Sequence, residues 1–308
     1  MKKQVFIGVD IGGTKIAGHI SDGTRWHSTP INVPCPAQAG AIAVMQTVVD
    51  LCRTLLTHAE SAGYTVSAIG VGAAGQIDSE RGVVLSANEN LRDWTGTPVA
   101  QQLGAALGLP IYVENDVRMM AYGELELGIG GHYRDSLFVT VGTGIGGAIV
   151  RGGRLYHGAH FAAGEIGYLL GGYDDGQPVS IEHLASGPAI ERHYKQLSGI
   201  DNVLSLHGIS DRATEGEAVA RQVIETGARR LADVLAPALI LLDPAALIVG
   251  GGVPEIGERW WRPFYERLRA YPARTLAHID IQRAELRANA VMFGASCMAW
   301  KRYQGANQ

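Results

Sequence analysis

Cysteine is scarce in this chain. Cys35, Cys52 and Cys297 are odd in number and far apart, and no C-x-x-C pair occurs. That spacing supports neither a disulfide framework nor a cysteine zinc site. Charge is sparse as well: 18% of residues are charged, the net charge is -4, and no Lys/Arg cluster is present. A nucleic-acid partner is therefore not expected. Clean apolar runs are also missing. Residues 5–9, behind two lysines, are too short for a signal h-region. Residues 232–249 have the length of a membrane span, but Pro237, Asp243 and Pro244 interrupt them. The run reads instead as a buried helix followed by a buried strand. These absences predict a soluble cytoplasmic protein with no membrane partner.

Glycine is abundant. The chain has 41 among 308 residues, above the usual share of ~7%. Many backbone positions should therefore need positive φ or close approach. The length suits two domains of about 150 residues, and 46% apolar residues allow a sizeable core. Near the N-terminus the chain reads FIGVDIGGTKIAGHI. A strand ends at Asp10, then Gly12, Gly13, Thr14 and Lys15 turn the chain, and residues 16–20 continue as a second strand. A Walker loop would open a helix here; this is a β-hairpin with an acidic rim.

The layout recurs. Residues 137–141 read as a strand, Gly142 to Gly147 as a glycine turn, and residues 148–150 as a strand turned by Arg151-Gly152-Gly153. Two copies predict two related halves with a cleft between them. Helices over 41–62, 99–108 and 117–127 alternate with strands over 67–72 and 111–113 and a hairpin of 76–78 with 82–84. That order predicts an α/β domain with a mixed sheet. Two stretches, 70–75 and 142–147, match G-x-G-x-x-G. The dinucleotide fingerprint needs a helix next, and neither stretch is followed by one.

Two facing Gly-Thr hairpins would offer backbone N–H groups and hydroxyls to phosphates. Residues 247–252 form a buried strand ending in Gly250, Gly251 and Gly252, which is either a plain turn or a place where a flat ligand meets the backbone. Glu114-Asn115-Asp116 stands where a strand gives way to a helix. Asn115 or Asp116 suits an N-cap, while Asp116 also suits a general base for an attacking hydroxyl. Glu165, between glycines and apolar residues, suits the binding of vicinal hydroxyls, and Glu182 is another candidate carboxylate.

Taken in order, Asp10-Ile11-Gly12-Gly13-Thr14-Lys15, Glu114-Asn115-Asp116, Gly142 to Gly147, Gly164-Glu165-Ile166-Gly167 and Gly250 to Gly252 resemble the ROK family of sugar kinases and repressors. The resemblance runs from Phe6 to about Tyr303. It implies a two-domain actin-like ATPase (ribonuclease H-like) α/β fold with an interdomain cleft. Residues 1–117 with a C-terminal helix over 290–308 would form the small domain, and 118–289 the large one. It implies an ATP- and Mg²⁺-dependent, glucokinase-like phosphorylation of a hexose 6-hydroxyl, with Asp116 as catalytic base. Gly75, Asn90 and Asn115 would hold the sugar ring, and Glu165 and Glu182 its anomeric end. Gly12, Gly13, Thr14, Lys15, Thr143 and Gly144 would hold the phosphates. Asp10 would orient Mg²⁺ through water, Gly251 would lie against adenosine, and closure of the domains would exclude water. A homodimer is implied as well.

One position departs from the family. Where relatives have a zinc-bound histidine followed by a cysteine loop, this chain has Tyr168 and no cysteine over 171–178. No zinc is expected, since tyrosine and carbonyls replace thiolate and imidazole poorly. A shorter loop is expected before Glu182. Tyr168 either fills the vacated volume or offers a ring on which a larger anomeric group could stack, as in the similar β-glucoside kinases. A sugar-sensing regulator is the alternative of another class. It is disfavoured because Asp116 is present and the first phosphate strand begins at Val5.

Overall fold

The computed structural model describes residues 3–88, 90–200 and 204–306. It divides into two compact units. The first holds residues 1–132, 157–163 and 285–308, and the second 133–156 and 164–284.

In the first unit the strands are β1 (Lys3–Ile11), β2 (Lys15–Ser21), β3 (Ile31–Pro34), β4 (Tyr64–Ala73), the short β5 (Gln76–Asp78) and β6 (Val83–Ser86), and β7 (Ile111–Asn115). The main sheet has the order β3-β2-β1-β4-β7. β1 runs antiparallel to β2 and parallel to β4, and β4 runs parallel to β7. Val5, Ile7, Val9, Ile69 and Val71 are fully buried on these strands. One face is covered by α1 (Ala41–Ser61), whose Val44, Val48, Cys52 and Leu55 recur at helical spacing and are buried without exposure. Helices α2 (Val99–Leu107) and α3 (Asp116–Leu127) flank β7 in sequence.

The second unit repeats the plan. Its strands are β8 (Ser136–Val141), β9 (Ile145–Arg151), β10 (Arg154–Tyr156), the hairpin β11 (Leu170–Asp174) with β12 (Gln177–Ser180), β13 (Ala246–Gly250) and β14 (Asp280–Arg283). The main sheet has the order β10-β9-β8-β13-β14. β8 is antiparallel to β9 and parallel to β13, and β13 is parallel to β14. In each unit, then, an antiparallel three-strand meander adds two parallel strands on the same side. The repeated glycine hairpins of the sequence are β1–β2 and β8–β9. Both G-x-G-x-x-G stretches lie on strands and turns: after Gly75 the chain enters β5, and Gly146 and Gly147 lie within β9.

Three expectations shift. Helix 116–127 groups with the first unit rather than the second, because it packs on the C-terminal helix Ala290–Ala306. Glycine permits that contact: a Cβ on Gly294 would stand 1.9 Å from the carbonyl of Met119, and one on Gly123 would stand 2.6 Å from that of Ala290. The C-terminal helix, expected over 290–308, is described over Ala290–Ala306, and residues 307–308 lie outside the described part. Pro237, read as an interruption, is carried inside α7 (Ala218–Leu242) once α4 (Ile181–Ala185), α5 (Gly187–Ser198) and α6 (Leu206–Glu215) have passed. Proline removes one helical hydrogen bond. The burial of Leu231, Ala232, Leu235, Ala236 and Leu239 without exposure outweighs that loss, since packing of an apolar face supplies most helical stability.

Candidate active site

In the first unit the C-terminal ends of three parallel strands converge. Asp10 on β1 is paired with Gly72 on β4, and Ala73 on β4 is paired with Asn115 on β7. Beyond β1 the N–H of Gly12 donates to the carbonyl of Lys15 at 3.0 Å, closing the hairpin, and Thr14 and Lys15 are exposed at its tip. Gly13 lies against Asn90: a Cβ there would be 3.7 Å from that of Asn90. Asn90 is exposed on a loop anchored by Trp94, whose indole N–H donates to the carbonyl of Ala74 at 3.1 Å.

Asn115 and Asp116 divide the two roles that local sequence left open. Asn115 is the N-cap of α3: its Oδ1 accepts from the Arg118 N–H at 3.0 Å. Its Nδ2 donates to the carbonyl of Gly75 and to Asp116 Oδ1, both at 2.9 Å. Asp116 Oδ1 also accepts from the Val117 N–H at 2.8 Å. Gly75 has φ +103 and a Cβ there would come within 2.6 Å of the Ser86 carbonyl, so no other residue fits this turn without strain. Gly75, Asn115 and Asp116 thus form one hydrogen-bonded corner in which Asn115, not Asp116, supplies the cap of α3.

Asp10 faces that corner. Burial, and then the neighbouring Asp116 carboxylate, push its carboxyl up to about 7, against a smaller opposite pull from Lys15. Two carboxylates that disfavour each other's ionisation suit a cation nearby. This donor set therefore fits a Mg²⁺ ion carried with a nucleotide. The folded chain keeps a proton that the unfolded chain loses near 3.8. Asp10 therefore contributes stability that is fully present below that value and is lost as pH rises through about 7. At about 1.4 kcal/mol per pH unit, and discounted for partial exposure, the loss is about 2–4 kcal/mol. Without ligand, the melting temperature should fall between pH 5 and 8, and Asp10→Asn should flatten that slope. An unchanged slope in the variant would remove Asp10 from the account.

In the second unit the Gly142–Gly144 turn is closed by the Gly142 N–H donating to the Gly144 carbonyl at 2.8 Å. It is tied to the start of α5 by the Gly187 N–H donating to the Gly142 carbonyl, also at 2.8 Å. Glu182, in the first turn of α4, accepts from the Ile145 N–H at 2.8 Å through Oε2. A Cβ on Gly144 would come within 2.6 Å of that same oxygen. Glu182 is thus an anchor of the glycine turn as well as a potential hydroxyl acceptor. Glu165 follows Gly164, whose φ is +90 and which lies against the Gly147 carbonyl. Gly167 is close enough to the Glu182 carboxylate that a Cβ there would be 3.5 Å away. Gly251 has φ +94, and a Cβ would clash with the backbone of Val141 at 2.4 Å. Gly144 and Glu182 meet at the turn after β8, and Gly251, at the end of β13, lies against Val141 at the end of β8; Glu165 follows Gly164 beside β9. Tyr168 does not fill a vacated volume: it is 76% exposed. The expected loop before Glu182 is the β11–β12 hairpin.

Sequence reading missed one group in the first unit. Glu114 Oε2 lies 2.6 Å from His157 Nε2, and its Oε1 lies 3.6 Å from Arg118 Nη1. Arg118 Nη2 donates to the carbonyls of Phe161 and Ala163 at 2.8 and 3.1 Å. Phe161 has φ +55, a left-handed conformation that costs an L-residue about 1–2 kcal/mol. The signal available was Glu114 and Arg118 four residues apart, the spacing of a paired Glu and Arg.

A model of the ROK family matches residues 6–302. A glucokinase of Streptomyces coelicolor is 33% identical over 301 residues, covering 86% of this chain and 92% of that one. An N-acetylmannosamine kinase of Escherichia fergusonii is 30% identical, covering 95% and 97%. Among solved structures, a ROK glucokinase from Streptomyces griseus in complex with glucose and AMPPNP superposes with a TM-score of 0.80. It is 32% identical and covers 96% of this chain and 99% of that one. With both glycine hairpins, the Glu114-Asn115-Asp116 corner and the doubled sheet in place, this chain belongs to the ROK family.

Proposed function

We propose that the protein transfers the γ-phosphoryl group of ATP to the 6-hydroxyl of a hexose, with glucose the first acceptor to test. The observation that carries this reading is the division of labour at the strand–helix corner: Asn115 caps α3, and the Asp116 carboxylate beside it faces Asp10. In the reaction the 6-hydroxyl oxygen forms a bond to the γ-phosphorus, the bond from that phosphorus to the ADP oxygen breaks, and the hydroxyl proton passes to Asp116. Asn115, Asn90 and the Gly75 turn position the sugar ring, and Glu165 and Glu182 accept hydrogen bonds from its hydroxyls. Gly12, Gly13, Thr14 and Lys15 bind phosphate oxygens on one hairpin, as do Thr143 and Gly144 on the other, and the Gly251 backbone leaves room for a flat base. Asp10 would hold a Mg²⁺ ion carried with the nucleotide, and the ion would supply neutralisation of the phosphate charge.

The test is ADP release with ATP and Mg²⁺ over glucose, fructose, mannose, allose, N-acetylmannosamine, N-acetylglucosamine and cellobiose. Turnover on one free monosaccharide supports a hexose kinase and names its sugar. Silence across the panel overturns the reading.

A second reading, a β-glucoside kinase, draws on one observation. Tyr168 and Tyr173, at 76% and 70% exposure, leave aromatic surface close in sequence to Glu165 and Glu182, where a group linked to the anomeric carbon could stack. Tyr168→Ala should then lower turnover of cellobiose about tenfold and leave that of glucose within twofold. An equal loss on both substrates ends the stacking idea.

A further inference from the structure

The buried cluster of Glu114, Arg118 and His157 takes no part in the chemistry above. The Glu114 and Arg118 side chains are 0% and 1% exposed. A buried ion pair is a weak stability device, because desolvation offsets its attraction. Here both ends of the pair are committed to one short stretch, residues 157–163. These seven residues group with the first unit although the chain before and after them belongs to the second. Glu114 holds His157, and the Arg118 guanidinium bridges the carbonyls of Phe161 and Ala163. From the other side Gln76 Nε2 donates to the carbonyl of His160 at 2.6 Å.

Glu114 and Arg118 flank Asn115 and Asp116 in sequence, and Gln76 follows Gly75, whose carbonyl is bound by Asn115. The stretch is thus fastened on both sides of the Gly75–Asn115–Asp116 corner. Within it Phe161 is kept left-handed without being glycine. Such strained residues persist only where surroundings over-determine them, and they gather at functional sites. The Phe161 ring leans toward His157, with centroids 6.1 Å apart, and remains half-buried.

We infer that residues 157–163 are an acceptor-binding element and that Arg118 is the positioning residue that sets their conformation; this rests on the sugar-kinase reading above. The guanidinium fork is essential to the role, because a lysine ammonium is a point charge that does not reproduce a planar two-carbonyl bridge.

Steady-state kinetics with glucose and ATP, varied separately, tests it in Arg118→Lys and in the surface variant Gln76→Ala. Arg118→Lys should raise KM for glucose at least tenfold and leave KM for ATP within twofold, with Gln76→Ala showing a smaller change of the same kind. Hydrogen exchange of the intact wild-type protein gives a readout that does not depend on either variant folding. Peptides covering 157–163 should be protected by glucose alone and not by a non-hydrolysable ATP analogue alone. A glucose KM unchanged in a folded Arg118→Lys, both KM values rising together, or no protection by glucose in an active wild type would each overturn the inference and leave the kinase reading standing. A wild type silent on the whole sugar panel would overturn both.

Discussion

Asp116→Asn should retain the fold and lose about 10²–10⁴-fold in turnover, the range set by a positioned general base. The substitution is isosteric. An amide oxygen at the same place can still accept from the Val117 N–H and from Asn115 Nδ2, the two bonds that orient Asp116 Oδ1. The helix cap is untouched, because Asn115 provides it. What disappears is the capacity to take a proton from the attacking hydroxyl, so KM for sugar and for ATP should move no more than about threefold while kcat falls. A second consequence separates this from general damage. The Asp116 charge is one of the causes holding the Asp10 carboxyl near 7; without it Asp10 titrates lower, and the pH dependence of stability should shift toward acid. Full turnover in Asp116→Asn would remove it as the base.

Much of this site was legible because its parts are local. A strand, an acidic residue and a glycine turn can be read within fifteen residues, and so can a second copy. The sheets then followed: the strand order β3-β2-β1-β4-β7 has its counterpart in β10-β9-β8-β13-β14. Glu114-Asn115-Asp116 was visible as a strand–helix junction, but which residue capped it depended on side-chain directions that spacing does not fix. The attachment of residues 157–163 was not legible, since Arg118 meets Phe161 43 positions further along the chain and carbonyl acceptors leave no mark in residue type. The unit boundary was misplaced for a similar reason. Gly123 and Gly294 look like ordinary tolerated helix glycines, and only their meeting shows that helix 116–127 belongs beneath the C-terminal helix.

The same close packing sets the largest expected effect on stability. Gly70 lies in β4, between β1 and β7, and a Cβ there would stand 1.9 Å from the carbonyl oxygen of Ala295 and 2.5 Å from its carbonyl carbon. Gly8 on β1 meets the carbonyl of Met292 in the same way, at 2.2 Å. These partners are backbone atoms of the C-terminal helix, so no rotamer change relieves the clash; the helix must lift or the strand must bend. Intrinsic preference works in the opposite direction, since replacing glycine by alanine inside a strand gains roughly 0.5–1 kcal/mol. Overpacking of this severity should exceed the usual range of about 1–3 kcal/mol. Gly70→Ala should therefore lose more than about 3 kcal/mol and melt about 6–12 °C lower or more, at roughly 2–4 °C per kcal/mol for a unit of this size. Gly305→Ala is the control: it is in the same helix, nothing lies within 4 Å of its added methyl, and its melting temperature should stay level or rise slightly. The C-terminal helix rests on β1 and β4 at these glycines, and those strands end at Ile11 and Ala73, next to Asp10 and two residues before Gly75. A lifted helix should therefore loosen the site before the whole unit melts, so glucose should protect Gly70→Ala from thermal unfolding less than it protects the wild type. A Gly70→Ala protein melting within about 1 °C of wild type would show that the helix is not seated on the sheet at this distance.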